Sequence, residues 1–223
     1  MVLEVCAYNI ASCIIAGKAG AGRIELCVNP LEGGITPSFG LIEYVAEYVP
    51  IPAFPMIRPR GGSYVYDTHE LAIMKKDILR CRDMGCKGIA TGIQLPDGRL
   101  DADNMKRLVE WAYPMQVTCH KAFDVTPDAF AALDVLIAAG VSRVLTSGLR
   151  KTALEGADLL RQLVATADGR IVIMPGGSVR SSNIAQLAAA TGAVEFHSSG
   201  ILSMAMGQVA NEDEVRKMVN ELK

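Results

Sequence analysis

Charged and thiol side chains alternate with aliphatic ones in the run Arg23-Ile24-Glu25-Leu26-Cys27, whose composition otherwise favours a buried strand. Side chains two positions apart share one face of a strand, so Arg23, Glu25 and Cys27 point the same way. Charges on a buried strand need partners, because removing an unpaired charge from water is costly. The run therefore predicts a polar site rather than a purely structural strand.

The same alternation recurs in other strand-like runs, where glutamate and histidine side chains share the face opposite the aliphatic ones. Carboxylates and imidazoles that converge near strand ends are typical groups for acid–base catalysis. The candidate catalytic residues are Glu4, Glu25, His120, Glu195 and His197. The alternative is that these charges only pair with one another inside the protein.

Cys6 and Cys27 end the first two strand-like runs and form the candidate metal site. Neighbouring parallel strands lie about 4.8 Å apart, so the two sulfurs could hold one soft ion or form a reversible disulfide. Thiolates select Cu(I), whereas zinc would need two further nitrogen or sulfur ligands, one of which His120 or His197 could supply. Small buried cysteines also serve as apolar fillers, and spacing alone leaves both interpretations open.

Arg58 ends the third strand-like run with Arg60 just beyond it, and Gly176-Gly177 follows the seventh. Glycines before a helix start expose backbone N–H groups that can hold a phosphate or carboxylate. A tight turn would also require such glycines. Together with the two arginines, they predict a binding site for a small anionic ligand.

A regular alternation of strands and helices positions these residues. Strand-like runs are predicted at 2–6, 23–27, 53–58, 88–92, 116–120, 143–147, 170–175 and 194–198. Helices are predicted at 11–19, 40–48, 69–84, 103–111, 128–138, 153–165, 182–190 and 212–222. Eight βα units predict an α/β protein with one domain over residues 1–223, a (β/α)8 TIM-type barrel. A doubly wound open sheet is less favoured, because no Gly-x-Gly-x-x-Gly sequence follows the first strand.

Turn residues support this alternation at the helix boundaries. Glycines such as Gly20 and Gly140 stand where helices are predicted to end, since glycine accepts the left-handed conformation cheaply. Thr36 and Thr126 each precede a proline, which predicts a threonine cap with proline at the first helical position.

The composition is that of an ordinary globular protein. Of 223 residues, 50% are hydrophobic and 21% charged, with a formal net charge of -2 and scattered basic residues. This balance argues against nucleic-acid binding. The sequence shows neither a signal peptide nor an apolar run of about 20 residues, and its six cysteines include no CxxC pair. We therefore expect a cytoplasmic protein with free thiols and no membrane segment. The general prevalence of homo-oligomers among globular proteins also favours a homodimer.

Several sequence blocks, in one order along nearly the whole chain, resemble the CutC copper homeostasis family. The blocks are Leu3 to Cys6, Arg23 to Cys27, Gly33-Gly34 with Thr36 to Ser38, Met56 to Gly62, His120 with Ala122 to Asp124, Leu145 to Gly148, Met174 to Gly177 and Glu195 to His197. The resemblance implies a (β/α)8 barrel, a cytosolic setting and a role in Cu(I) handling with Cys6 and Cys27 as ligands. Lys121 and Ser178 depart from the family's usual Arg and Gly, whereas Ala205-Met206-Gly207 retains its pattern.

Two functions follow from these observations. In the first, the chain is a copper-homeostasis protein that binds Cu(I) through Cys6 and Cys27 at the barrel mouth. In the second, it is an enzyme acting on a small anionic or phosphorylated substrate, with His120 and Glu25 as acid and base. A metal-assisted variant would place a divalent ion among the glutamates and a histidine. The resemblance implies no particular reaction.

Overall fold

The computed structural model describes residues 1–203 and 208–223, so the Ala205-Met206-Gly207 segment lies outside the described residues. Eight strands alternate with eight α-helices in these ranges. The strands are β1 Val2–Ala7, β2 Arg23–Leu26, β3 Ala53–Pro55, β4 Gly88–Thr91, β5 Gln116–Cys119, β6 Arg143–Thr146, β7 Val172–Pro175 and β8 Glu195–Ser198. The order of elements agrees with the prediction from the sequence.

The helices follow the strands one by one. They are α1 Ile10–Ala19, α2 Phe39–Tyr48, α3 Thr68–Asp83, α4 Ala102–Ala112, α5 Ala129–Ala139, α6 Ala157–Ala167, α7 Ile184–Thr191 and α8 Glu212–Glu221. Short 3-10 helices at Pro30–Glu32 and Phe123–Val125 lie in the loops after β2 and β5. In a barrel of parallel strands, the loops that follow the strands lie together at the carboxyl end of the strands. This end carries the functional sites of (β/α)8 barrels.

Parallel pairing closes the strands into a ring. One run of four follows the order β3-β2-β1-β8 and the other follows β4-β5-β6-β7. Parallel bridges join the two runs at both junctions, Met56 with Ala90 and Gly176 with His197. The predicted (β/α)8 barrel is confirmed.

The predicted threonine caps of α2 and α5 are wrong, because both threonines have other hydrogen-bond partners. Ser38 caps α2 by accepting from the Leu41 N–H, and Asp128 caps α5. Thr36 Oγ1 instead donates to the Arg58 carbonyl (3.1 Å), and Thr126 Oγ1 donates to the Phe123 carbonyl (2.9 Å). Both helices therefore begin two residues after their prolines.

Apolar side chains fill the layer between the strands and the helices. Ile24 and Leu26 point outward into this layer and are fully buried, as the strand alternation predicts. The opposite faces, inside the barrel, carry buried charged residues together with apolar ones such as Phe54 and Met56. Among the described residues, no helix is long and apolar enough to cross a membrane.

Candidate functional site

Two thiols meet at the carboxyl end of the first two strands. Cys6 is the penultimate residue of β1 and Cys27 directly follows β2, which places their Sγ atoms 3.4 Å apart. Both side chains are buried beside Met56 and Ala90, and the partly buried Tyr8 packs against them. The predicted pair is thus brought together.

The environment keeps these thiols protonated. The hydrogen bond with Cys27, reinforced by burial, raises the pKa of Cys6 well above its ordinary value. The hydrogen bond with Cys6 lowers the pKa of Cys27, but burial and the Glu25 carboxylate outweigh it and the net shift is upward. A metal that binds both sulfurs must therefore displace protons.

Two overlapping sets of side chains present atoms that could hold a metal. Cys6, Glu25 and Cys27 form one set, and Glu4, Glu25 and His197 form the other, each with ligand atoms within 4.8 Å of one another. The first set is sulfur-rich and suits a soft ion such as Cu(I), whereas the second offers oxygen and nitrogen. Glu25 belongs to both.

His197 and Glu4 form a buried ion pair below the thiols. His197 Nδ1 lies 2.7 Å from Glu4 Oε1, and Arg23 Nε donates to Glu4 Oε2 (2.5 Å). Burial opposes ionisation of Glu4, but His197 and Arg23 together hold its pKa at about 2. Burial also opposes the positive charge of His197. The charge of Glu25 and the hydrogen bonds with Cys6 and Glu4 nevertheless raise the pKa of His197 well above its ordinary value.

Glu195 does not line the cavity at the mouth, so the prediction that all three glutamates meet there is wrong. It opens β8 at the amino end of the barrel, where Arg23 Nη2 (2.6 Å) and Arg143 Nε (2.9 Å) donate to its Oε2. The Phe54 ring lies beside both guanidinium groups, at 5.1 and 5.3 Å from its centroid. Strand parity identifies the inward face but not the depth, and two residues along a strand span about 6.6 Å.

His120 directly follows β5, and its ring is fixed by packing. The Ala122 N–H donates to His120 Nδ1 (3.2 Å), and the Tyr64 ring lies 4.9 Å away. Gly92 makes room for the imidazole, because a Cβ there would lie 2.8 Å from its atoms. Burial, aided by the Arg58 charge, lowers the pKa of His120 to about 3, so the ring is neutral and Nε2 carries the proton.

Arg58 lies in the mouth but is largely engaged by the backbone. Its guanidinium donates to the carbonyl groups of Glu32, Gly34 (2.9 Å) and Gly62 (2.8 Å), while its centre lies 4.8 Å from the Tyr64 ring. Arg58 thus holds the loops after β2 and β3 together, and its Nε is left unpaired.

Arg60 does not reach the cavity. Its Nε donates to Glu70 Oε1 (2.5 Å), and its other nitrogens donate to three carbonyl groups of the same loop. The predicted pairing of Arg58 and Arg60 around one anion therefore does not form. The negative charge of Glu70 on α3, outside the barrel, draws Arg60 away from the mouth.

Gly176-Gly177 does not form the predicted phosphate cradle. The helix α7 begins only at Ile184, so no helix N-terminus stands at this turn. A Cβ on Gly176 would lie 2.3 Å from Leu145 Cδ1, and Gly177 has φ +108° and accepts a hydrogen bond from the Ala153 N–H. These glycines satisfy close packing and backbone conformation, and neither lines the cavity at the mouth.

A cavity of about 250 Å³ opens at the mouth. It is lined by Cys6, Tyr8, Glu25, Pro30, Gly33, Met56, Arg58, Tyr64, His120, Lys121, Leu145 and His197. Four buried side-chain atoms lack a hydrogen-bond partner in the described part of the chain, and three belong to this lining: Glu25 Oε1, Arg58 Nε and His120 Nε2. Each such atom costs about 1–3 kcal/mol, so their clustering is typical of a ligand site.

A larger cavity of about 460 Å³ lies elsewhere, between the starts of α4 and α5. Its lining includes Leu95, Leu100, Pro127 and Val135, and contains none of the residues predicted to act in a site. The mouth cavity, although smaller, is therefore the one that carries the chemistry.

Comparison with known proteins decides the family. The model of the CutC family matches residues 1–202. A copper homeostasis protein cutC homolog from Mus musculus is 45% identical over 198 residues, which cover 89% of this chain and 73% of that protein. The chain belongs to the CutC family. A family protein CutC from Chromobacterium violaceum is 44% identical over 216 residues, which cover 97% of this chain and 85% of that protein.

A solved CutC structure supports the same assignment. The putative copper homeostasis protein CutC from Streptococcus agalactiae superposes with a TM-score of 0.85 at 34% identity, covering 89% of this chain and 98% of that chain. A phosphoribosylanthranilate isomerase from Pyrococcus furiosus reaches 0.62 at only 14% identity and shows the barrel fold alone.

Two polar residues of the barrel, Arg143 and Asp124, are absent from the sequence-based prediction of site residues. Arg143 opens β6 at inward parity, the same signal that identified Arg23, and pairs with Glu195. Asp124, in the loop after β5, accepts from Thr146 Oγ1 (2.5 Å) and from the Ser147 N–H (3.0 Å). Because Asp124 follows no strand alternation, only the fold shows that it holds the loop after β6.

Proposed function

We propose that this chain acts in copper homeostasis in the cytosol by holding Cu(I) between Cys6 and Cys27. The observation that carries the proposal is the 3.4 Å separation of the two sulfurs at the barrel mouth. Thiolates are the protein ligands that select Cu(I), and relatives at about 45% identity are named copper homeostasis proteins. Buried thiols at the end of adjacent strands also exclude water, which protects a bound soft ion.

The geometry favours a third ligand. Two bonds of about 2.3 Å, the length of zinc–thiolate bonds, to sulfurs 3.4 Å apart enclose an angle of about 95°. Such a bent arrangement leaves one side of the ion open. Glu25 offers an oxygen within 4.8 Å of both sulfurs, and its carboxylate can also take up a proton released from a thiol.

A Cu(I) titration of the reduced protein against a competing chelator tests this proposal. We expect the double substitution Cys6→Ser, Cys27→Ser to weaken binding at least 100-fold. Cys81→Ser with Cys86→Ser is the matched control, because this second thiol pair lies at the end of α3, outside the barrel interior. If the wild type binds Cu(I) no more tightly than Cys6→Ser, Cys27→Ser, the proposal fails.

A second candidate function is catalysis on a small anionic or phosphorylated substrate. The three unpaired polar atoms around the mouth cavity favour it, because a bound Cu(I) ion would leave Arg58 Nε and His120 Nε2 without partners. Lys121 and Arg58 would neutralise the substrate, and His120 and Glu25 would contact it. A panel of phosphorylated and carboxylated metabolites should then raise the melting temperature. A panel that leaves it unmoved argues against catalysis.

A further inference from the structure

The unpaired atoms of the mouth cavity form a complementary set of donors and acceptors. Because His120 Nδ1 accepts from the Ala122 N–H, the ring proton stands on Nε2, which is a donor. Arg58 Nε is always a donor. Glu25 Oε1 has free lone pairs and can accept a hydrogen bond. A ligand that satisfies all three must offer at least two acceptor oxygens and one hydroxyl or amine hydrogen.

The charges around the cavity favour an anion. Arg58 and Lys121 bring two positive charges to the lining, against the single carboxylate of Glu25. Glu4, whose carboxylate lies close to that of Glu25, is already paired with Arg23 and His197. A carboxylate group on the ligand would supply both acceptor oxygens and match this charge.

The size of the cavity restricts the ligand further. Its volume of about 250 Å³ is below the range of pockets that hold drug-sized ligands. The space therefore suits a small carboxylic acid, such as one of three or four carbons.

We infer that the mouth cavity binds a small hydroxy carboxylate, with its carboxylate oxygens on His120 Nε2 and Arg58 Nε and its hydroxyl on Glu25 Oε1. This inference rests on the second function proposed above and names its substrate class. Tyr64 fixes the two donors relative to each other, since its ring contacts both the imidazole and the Arg58 guanidinium. Because these three atoms are closed to solvent, side chains at the mouth must turn for the donors to meet the ligand.

Matched small molecules test the assignment by calorimetry on reduced, chelator-treated protein. Glycerate and lactate carry both groups, propionate lacks the hydroxyl, and glycerol lacks the carboxylate. We expect glycerate or lactate to bind at least tenfold more tightly than propionate and glycerol, since each lost hydrogen bond costs about a factor of ten. Equal affinity for propionate, or no binding of either hydroxy acid, overturns the inference.

Two variants examine the role of His120 in binding. His120→Phe keeps a ring against Tyr64 but removes the donor, so glycerate should bind at least tenfold more weakly. His120→Gln retains an N–H donor and should restore most of the affinity. Unchanged glycerate affinity in a folded His120→Phe contradicts the assignment. If His120→Phe fails to fold, the wild-type comparison of glycerate with propionate decides.

A failure of the hydroxy carboxylate assignment can be distinguished from a failure of either proposed function. If phosphorylated metabolites stabilise the protein and the hydroxy acids do not, the hydroxy carboxylate assignment is overturned while catalysis on an anion stands. Cu(I) affinity, measured without glycerate or lactate, depends on Cys6 and Cys27 and should remain in His120→Phe. Loss of glycerate binding with intact Cu(I) binding therefore supports two ligands at one mouth.

Discussion

His120 shows how a single residue acquires its properties from its surroundings. The Ala122 N–H binds one ring nitrogen, Tyr64 covers a side, and the missing side chain of Gly92 admits the ring. Arg58 adds a positive charge that opposes protonation. The imidazole is therefore a neutral donor over the range in which an ordinary histidine changes its charge.

The contribution of His120 to the stability of the protein should be lost in mild acid. With a pKa of about 3 in the folded protein and about 6.5 when unfolded, only the unfolded chain takes up this proton below pH 6.5. The unfolding free energy should thus fall by about 2 kcal/mol from this residue between pH 7 and pH 5. Urea unfolding at both pH values measures the loss.

His120→Gln and His69→Gln are the variants that isolate this effect. His120→Gln should lose about 2 kcal/mol less than the wild type between the two pH values. His69→Gln, which replaces a histidine at the exposed start of α3 and outside the barrel, is the control. Equal pH dependence in the wild type and His120→Gln would show that folding does not lower the pKa of His120.

At the scale of elements, strand ends divide the barrel interior into two chemical levels. The opening residues of β2, β6 and β8, Arg23, Arg143 and Glu195, form an ionic network at the amino end. The later residues Cys6, Glu25 and His197 reach the mouth. Between them, the ring of Phe54 on β3 needs space, which Gly88 on β4 provides.

Gly88→Ala should therefore destabilise the protein. The added Cβ would lie 2.3 Å from the Phe54 ring, and overpacking of this kind costs about 1–3 kcal/mol. Gly40→Ala is the control, since nothing lies within 4 Å of its Cβ position near the start of α2. Gly40→Ala should be neutral or stabilise by about 0.5 kcal/mol. Denaturant unfolding of both variants measures the contrast, and a Gly88→Ala protein as stable as the wild type would refute the packing argument.

At the scale of the whole molecule, side-chain ion pairs connect the two four-stranded runs, which share few backbone contacts. The two four-stranded runs meet through single bridges, Met56 with Ala90 and Gly176 with His197. Arg143 on β6 crosses between the runs to Glu195 on β8, and both are shielded from solvent. Interior ion pairs of this kind fix one arrangement of the barrel wall.

Arg143→Met should cost about 3 kcal/mol of unfolding free energy, because Glu195 and Gln116 lose a buried partner. Arg99→Met removes a solvent-exposed pair with Asp97 and should cost less than about 1 kcal/mol.

Unfolding followed by the single tryptophan, Trp111, and by circular dichroism should coincide, as the prediction of one domain requires. Separate transitions for the two probes would contradict that prediction.

The sequence alone determined the alternation of elements, the inward faces of β1, β2, β5 and β8, and the family. These follow from periods of 2 and 3.6 residues and from glycine and proline at turns, which are local properties. The pairing of Cys6 with Cys27 could also be predicted, because strands that are consecutive in the sequence are neighbours in a (β/α)8 barrel.

Only the tertiary structure decided the depth and the partners of each polar group. Parity placed Glu195 on the correct face but not at the amino end of the barrel, and it could not show that Glu70 holds Arg60 away from the mouth. The donor on His120 Nε2 depends on the Ala122 N–H and on burial. Such properties arise from contacts between distant segments, which no local pattern encodes.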